Sequence, residues 1–116
     1  MCKILGVGID LCSVTRMQEL LSSGRSLHRL FTPEEERYIR SRGAVAAQSM
    51  AGIFAAKEAV CKALGTGIAF PLTDIEIGHT DAGQPTVRFD GHPGRFHLSI
   101  THEGDMAAAM VIHTDK

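Results

Sequence analysis

The residue pattern predicts an α+β domain, with helices packed on one side of a mainly antiparallel sheet. Two observations carry this. Alanines at 44, 46, 47, 51, 55, 56, 59 and 63 favour one long helix through the middle of the chain. After Leu72 the apolar period falls to two, and turn clusters separate short runs. Helical patterns early and strand patterns late describe segregated helices rather than alternating βα units.

The elements follow in order. Residues 4–9, Ile4-Leu5-Gly6-Val7-Gly8-Ile9, form a short branched apolar run and are expected to be a buried strand, with Asp10 at its carboxyl end. Ser13 is a suitable N-cap for a first helix over residues 13–21, whose Val14, Met17, Leu20 and Leu21 share a face. A loop with Ser22, Ser23, Gly24 and Ser26 follows. Thr32-Pro33-Glu34-Glu35 reads as a capping box with proline at the first helical position, starting a second helix that ends near Gly43. The long helix covers residues 44–64, and Gly65 suits the left-handed residue that ends it.

From Leu72 onward, Ile75 and Ile77 point one way, and Asp74, Glu76 and Gly78 the other. Turn clusters at 81–85 and 90–94 separate strands near 86–89 and 95–101. The last strand, 106–112, is apolar throughout and is expected to be buried on both faces. No internal repeat or low-complexity segment is present.

At 116 residues the chain is expected to be one domain, and its 44% hydrophobic and 22% charged content are ordinary for a globular one. A net charge of −1 creates no global field favouring nucleic acid. Basic residues nevertheless crowd the first third: Arg16, Arg25, His28, Arg29, Arg37, Arg40 and Arg42. They suit a docking face for an acidic partner, the alternative being a solvated helical surface. Cys2, Cys12 and Cys61 form no CxxC pair, as expected of reduced thiols in the cytoplasm. Cys61 reads as a small buried filler. No apolar run approaches a membrane span, and residues 1–11 are too brief for a signal-peptide core.

Three segments carry chemistry. The stretch 54–67 places Phe54, Glu58, Lys62 and Gly65 on one helical stripe, running into a turn bounded by Gly65 and Gly67. A carboxylate and an ammonium one turn apart, beside flexible backbone, suit a metal ion that carries phosphate. The competing reading is an ordinary helix-stabilising pair worth a few tenths of a kcal/mol. Asp10 is by itself a turn or capping residue. Paired in space with Glu58, it makes a two-carboxylate magnesium site, because magnesium favours one or two carboxylates plus substrate phosphates. His102, in Ser99-Ile100-Thr101-His102, stands at the mouth of a tight connection, a place also common for plain surface histidines.

Together these segments closely resemble the holo-acyl-carrier-protein synthase family of phosphopantetheinyl transferases. The matching residues are Gly8-Ile9-Asp10, Phe31-Thr32 with Glu35 and Tyr38, and Phe54-Ala55-Ala56-Lys57-Glu58-Ala59 with Lys62-Ala63-Leu64-Gly65-Thr66-Gly67. Asp74-Ile75-Glu76-Ile77, Gly83 with Pro85, and Ser99 to His102 complete the match. The resemblance implies transfer of 4′-phosphopantetheine from coenzyme A to a serine of an acyl carrier protein, with magnesium. By position it implies Asp10 and Glu58 as metal ligands and Lys62 on the transferred phosphate; for the proton of the attacking serine, Glu58 or a metal-bound water it orients is the candidate base. Phe54, Gly65, Gly67, Thr101 and His102 would line the coenzyme A site. Arg16, Arg25 and Arg29 would meet the acidic carrier protein, and the family forms trimers with sites at subunit interfaces.

Two departures stand out. Ile53 occupies a position where the family usually carries arginine, leaving His102, Arg95 or a neighbouring subunit to supply the cation. Thr101 replaces the more usual serine and keeps the hydroxyl. Two other readings remain: a non-catalytic coenzyme A or nucleotide-binding module, motivated by Ile53, and a small trimeric structural protein.

Overall fold

The computed structural model describes residues 1–67 and 69–116. Strand β1 (Ile4–Ser13) leads into helix α1 (Val14–Ser22); helix α2 (Pro33–Ser41) and a 3₁₀ turn (Gly43–Val45) precede the long helix α3 (Ala46–Leu64). A second 3₁₀ turn (Leu72–Asp74) opens β2 (Ile75–His79), followed by β3 (Pro85–Phe89), β4 (Arg95–Glu103) and β5 (Met106–Thr114). All pairings are antiparallel, in a three-stranded sheet ordered β1-β5-β4 and a two-stranded sheet β2-β3. This is the expected α+β architecture.

Local signals act as their chemistry requires. The Ser13 side chain accepts from the Arg16 N–H, and Thr32 and Glu35 close a reciprocal capping box on α2. Gly65 ends α3 in the left-handed region at φ 77°. Helix α3 begins two residues later than the alanine pattern suggests, because the chain first makes the 3₁₀ turn after Gly43. Strand β1 runs four residues beyond Ile9, since Asp10 to Ser13 continue the ladder with Ala109 to Met106.

The expectation that the first and last strands are wholly buried is wrong. Along β1, Gly8 and Cys12 face inward, while Val7, Ile9 and Leu11 are 59%, 63% and 62% exposed. Along β5, Ala107, Ala109 and Val111 are buried, and Met106 and Met110 are exposed. Only one face of the sheet is covered, because the helices lie on one side; strand alternation therefore leaves an apolar stripe open.

Helix α3 is buried almost all round, with Met50, Ala51, Ile53, Ala55, Ala56, Ala59, Val60 and Cys61 in the core. It lies directly on β1. A Cβ at Gly8 would stand 1.9 Å from the Ala59 carbonyl oxygen, and one at Gly6 equally close to that of Ala63. Glycine at 6 and 8 thus brings the strand's backbone against the helix, which sets Asp10 beside the C-terminal turns of α3.

A closed polar network ties the helices to the second sheet. Buried Lys57 meets Glu35 Oε1 at 2.5 Å and donates to the carbonyls of Leu30 and Leu72 at 2.8 and 3.1 Å. Glu35 also accepts the N–H groups of Thr32 and Ile77 at 2.8 and 2.7 Å. Burial pushes the Glu35 carboxyl up and the Lys57 ammonium down, each opposed by its attraction to the other.

Candidate active site

Asp10, Glu58 and Lys62 converge where β1 passes under the end of α3. The Lys62 ammonium donates to Asp10 Oδ1 at 2.9 Å and to the Ile9 carbonyl at 3.0 Å. It therefore bridges helix to strand rather than pairing with Glu58 along the helix. Burial pushes the Glu58 carboxyl up, and the charge of Asp10 and a hydrogen bond with it add to the rise; Lys62 and Arg16 oppose. The Asp10 hydrogen bond and charge raise Lys62 in turn. Of the two carboxylates, Lys62 thus contacts Asp10 alone, while Glu58 feels the repulsion of Asp10 and the attraction of Lys62 and Arg16 without a cation in direct contact among the described residues.

The first helix is fixed beside this cluster by a device the residue pattern does not reveal. Asp105, in the β4–β5 turn, accepts from Ser13 Oγ at 2.9 Å and from Thr15 N and Oγ1 at 2.8 and 2.6 Å. These bonds hold its own carboxyl below the usual range. They also set Arg16 close enough for its charge to act on Glu58 and on buried Cys12. Arg16 and Arg25 line one shallow depression of about 280 Å³ with Glu19, Leu20 and Ser23, which Arg29 does not join.

On the other side, at the β4 edge of the sheet, lies a cavity of about 180 Å³ lined by Tyr38, Arg42, Gly52, Ile53, His79 and His102. Gly52 permits the approach, since a Cβ there would meet Ile100 Cγ2 at 3.0 Å and His102 Nε2 at 3.3 Å. His102 Nε2 lies 3.2 Å from the Gln48 carbonyl. Ile53 contributes an apolar wall. Arg95 belongs instead to a separate cleft between β3 and β4 with Arg88, His92 and His97.

A profile of the 4′-phosphopantetheinyl transferase superfamily matches residues 6–111. The chain belongs to that superfamily. Among its relatives, the holo-[acyl-carrier-protein] synthase of Treponema denticola is 42% identical over 94% of this chain and 97% of that protein. The Bacillus anthracis holo-(acyl-carrier-protein) synthase, solved in complex with CoA (3′,5′-ADP), superposes with a TM-score of 0.87 at 34% identity, covering 97% of this chain and 98% of that one. The Helicobacter pylori holo-[acyl-carrier-protein] synthase in complex with coenzyme A gives 0.82 at 27% identity, over 92% of this chain and 98% of that one. The chain is thus an enzyme of the holo-[acyl-carrier-protein] synthase group within the transferase superfamily.

Against this superfamily pattern, the structure brings Asp10, Glu58 and Lys62 together but disperses several other expected site residues. Gly65 and Gly67 are exposed past the end of α3 with φ of 77° and 63°, a conformation that leaves the backbone open to a ligand. Phe54 packs its ring 6.5 Å from that of Phe31, against the core. Thr101 pairs with Ala108 on the open face of the sheet, whereas His102 faces the α3 side. Adjacent strand residues point to opposite faces, so Thr101 does not share the His102 cavity. Tyr38, Arg42 and His79 were missed as a group. A signal existed: Tyr38 and Arg42 are four residues apart at the end of a helix.

Among the described residues, no three His, Cys, Asp or Glu side chains converge as a self-sufficient metal cage. The same residues include no helix long and apolar enough to cross a membrane. The thiols of Cys2, Cys12 and Cys61 are all free.

Proposed function

We propose that this protein transfers the 4′-phosphopantetheine group of coenzyme A to a serine of an apo acyl carrier protein, with magnesium held by Asp10 and Glu58. The observation that carries the reading is the Asp10–Glu58–Lys62 cluster: two hard carboxylates near enough to repel one another, with a lysine anchored on Asp10. The donor set fits. Magnesium takes one or two carboxylates and keeps its remaining positions for water and phosphate, so a pair rather than a cage suits it. The upward push on Glu58 from Asp10 is a repulsion that a bound cation relieves. When bound, the ion supplies positive charge where the pyrophosphate bond breaks.

The chain's own groups do the rest. Lys62 spends two of its three N–H donors on Asp10 and Ile9, leaving one for a phosphate oxygen as charge develops there. Glu58, or a water it orients, accepts the proton of the attacking serine hydroxyl. Arg16, whose charge acts on Glu58, and Arg25, which shares a depression with Arg16, guide an acidic carrier protein so that its serine arrives near Glu58. The nucleotide end of coenzyme A occupies the His102 cavity.

The open sheet face supports self-association, and the trimer implied by the family resemblance would cover Val7, Ile9, Leu11 and Met110. Sedimentation equilibrium tests this: Val7→Glu and Met110→Glu should yield monomers.

The decisive experiment incubates apo carrier protein with coenzyme A, magnesium and this protein, and weighs the carrier by mass spectrometry. Gain of the phosphopantetheine arm is expected. Coenzyme A binding without transfer would favour a non-catalytic binding module. Neither binding nor transfer would leave only a structural role.

A further inference from the structure

The cavity at the β4 edge contains one cation with no acidic partner. Arg42 caps the end of α2, is exposed, and makes no ion pair among the described residues. Its position is nonetheless fixed. The guanidinium lies over the Tyr38 ring, 5.5 Å from its centroid, and Nε–H donates to Ser49 Oγ at 3.3 Å. Tyr38 in turn stacks on His79, with ring centroids 4.0 Å apart and planes 10° from parallel. One edge of the guanidinium is therefore anchored, and the terminal nitrogens form no hydrogen bond within the described residues. That is the fork an arginine offers to a phosphate. The other walls are neutral backbone at Gly52, apolar Ile53, and the histidines.

We infer that Arg42 binds the ribose 3′-phosphate of coenzyme A, supplying from the end of α2 the cation that Ile53 does not supply from α3. The inference rests on the coenzyme A reading above. Coenzyme A carries phosphate at two places, the diphosphate and the ribose. The diphosphate belongs to the Asp10–Glu58–Lys62 cluster, and Gly52 lies about 9 Å along α3 from Glu58 at 1.5 Å per residue. A second cationic site at that remove meets the ribose phosphate. Arg42 is thus a specificity residue: it separates 3′-phosphorylated nucleotides from those with a free 3′-hydroxyl.

Isothermal titration of the full-length protein with 3′,5′-ADP and with 5′-AMP tests this directly. Wild type should bind 3′,5′-ADP the more tightly. Arg42→Ala should weaken 3′,5′-ADP about tenfold or more, as expected for loss of a charge-assisted contact, and leave 5′-AMP nearly unchanged. Arg42→Gln, which keeps an amide to reach Ser49, should lose as much. Arg42→Lys, retaining charge but not the fork, should fall between. In steady-state transfer the same variants should raise KM for coenzyme A and spare kcat. Equal weakening of both nucleotides would overturn the inference, since Arg42 would then serve the base or the cavity's shape. Unchanged 3′,5′-ADP affinity in Arg42→Ala would also overturn it, while leaving the coenzyme A reading intact. Failure of wild type to bind either nucleotide would refute the coenzyme A assignment of the cavity itself, and Arg42's role with it.

Discussion

Helix α3 carries two lysine–carboxylate clusters within six residues, and they are opposites. At Lys57 every charge is closed off: the lysine and Glu35 side chains are both 0% exposed, and all three ammonium donors have partners. At Lys62 the lysine side chain is 53% exposed, one donor is free, and Asp10, its partner, also repels the Glu58 carboxylate. The first arrangement can only hold elements together. The second is incomplete as a protein structure, and that incompleteness suits it to a cation and a phosphate. A buried, satisfied pair is specific architecture, whereas an open, mutually repelling acidic pair at a strand–helix junction suits a functional site.

Substitutions should separate the clusters sharply. Asp10→Ala and Glu58→Ala should each reduce magnesium-dependent transfer to background with little change in fold, judged by carrier-protein mass and circular dichroism. Near-wild-type turnover at limiting magnesium would remove that residue from the site. Lys57→Ala should act oppositely. By stranding a buried carboxylate it should cost about 3–5 kcal/mol of stability in urea unfolding. The double variant Glu35→Gln/Lys57→Met should recover much of that loss. A single-variant cost below about 1 kcal/mol, the range of an exposed pair, would contradict the closed network.

Smaller effects sharpen the open cluster. Lys62→Ala should slow single-turnover transfer more than it weakens coenzyme A binding, because its free donor matters most as charge builds on the leaving phosphate. Equal losses would make it a mere anchor. Arg16→Glu should raise KM for the carrier protein several-fold at low salt, with coenzyme A affinity almost unaltered, and added salt should weaken the wild-type encounter. Carrier-protein kinetics indifferent to this charge reversal would move the docking face elsewhere.

The smallest effect concerns pH. The folded environment raises Glu58 above its unfolded value, so the proton it holds stabilises the fold at low pH. That contribution is complete below the ordinary carboxylate range and lost as pH rises through the folded value. In metal-free protein, Glu58→Gln should therefore melt slightly higher than wild type near pH 7, and the gap should close on acidification. Added magnesium should stabilise wild type and not this variant. A lower melting temperature for Glu58→Gln at neutral pH would mean that the repulsion from Asp10 is already compensated.

Local chemistry was fully legible. Thr32 and Glu35 close their capping box, Ser13 caps α1, and Gly65 turns left-handed, because each involves groups only a few residues apart. Periodicity found the strands after Leu72. It could also have warned that Thr101 and His102 face opposite sides of β4, since alternation is a property of any strand. Other features lay beyond reach. Glu35 serves both its capping box and Lys57, 22 positions on, and Asp105 braces α1 from a turn some 90 residues away.

By itself, then, the sequence determined the elements, their caps, and which residue types were available for phosphate and metal chemistry, since these follow from side-chain identity and short-range spacing. Tertiary structure decided which groups meet. Close contact of Gly6 and Gly8 with α3 delivers Asp10 to Lys62 across 52 residues. The end of α2 brings Arg42 to the cavity beside Ile53. Placing every helix on one side left Val7, Ile9 and Leu11 uncovered, though an apolar run alone looks the same whether one face is covered or two. Pairings at such separations depend on how elements pack, and no local signal encodes packing.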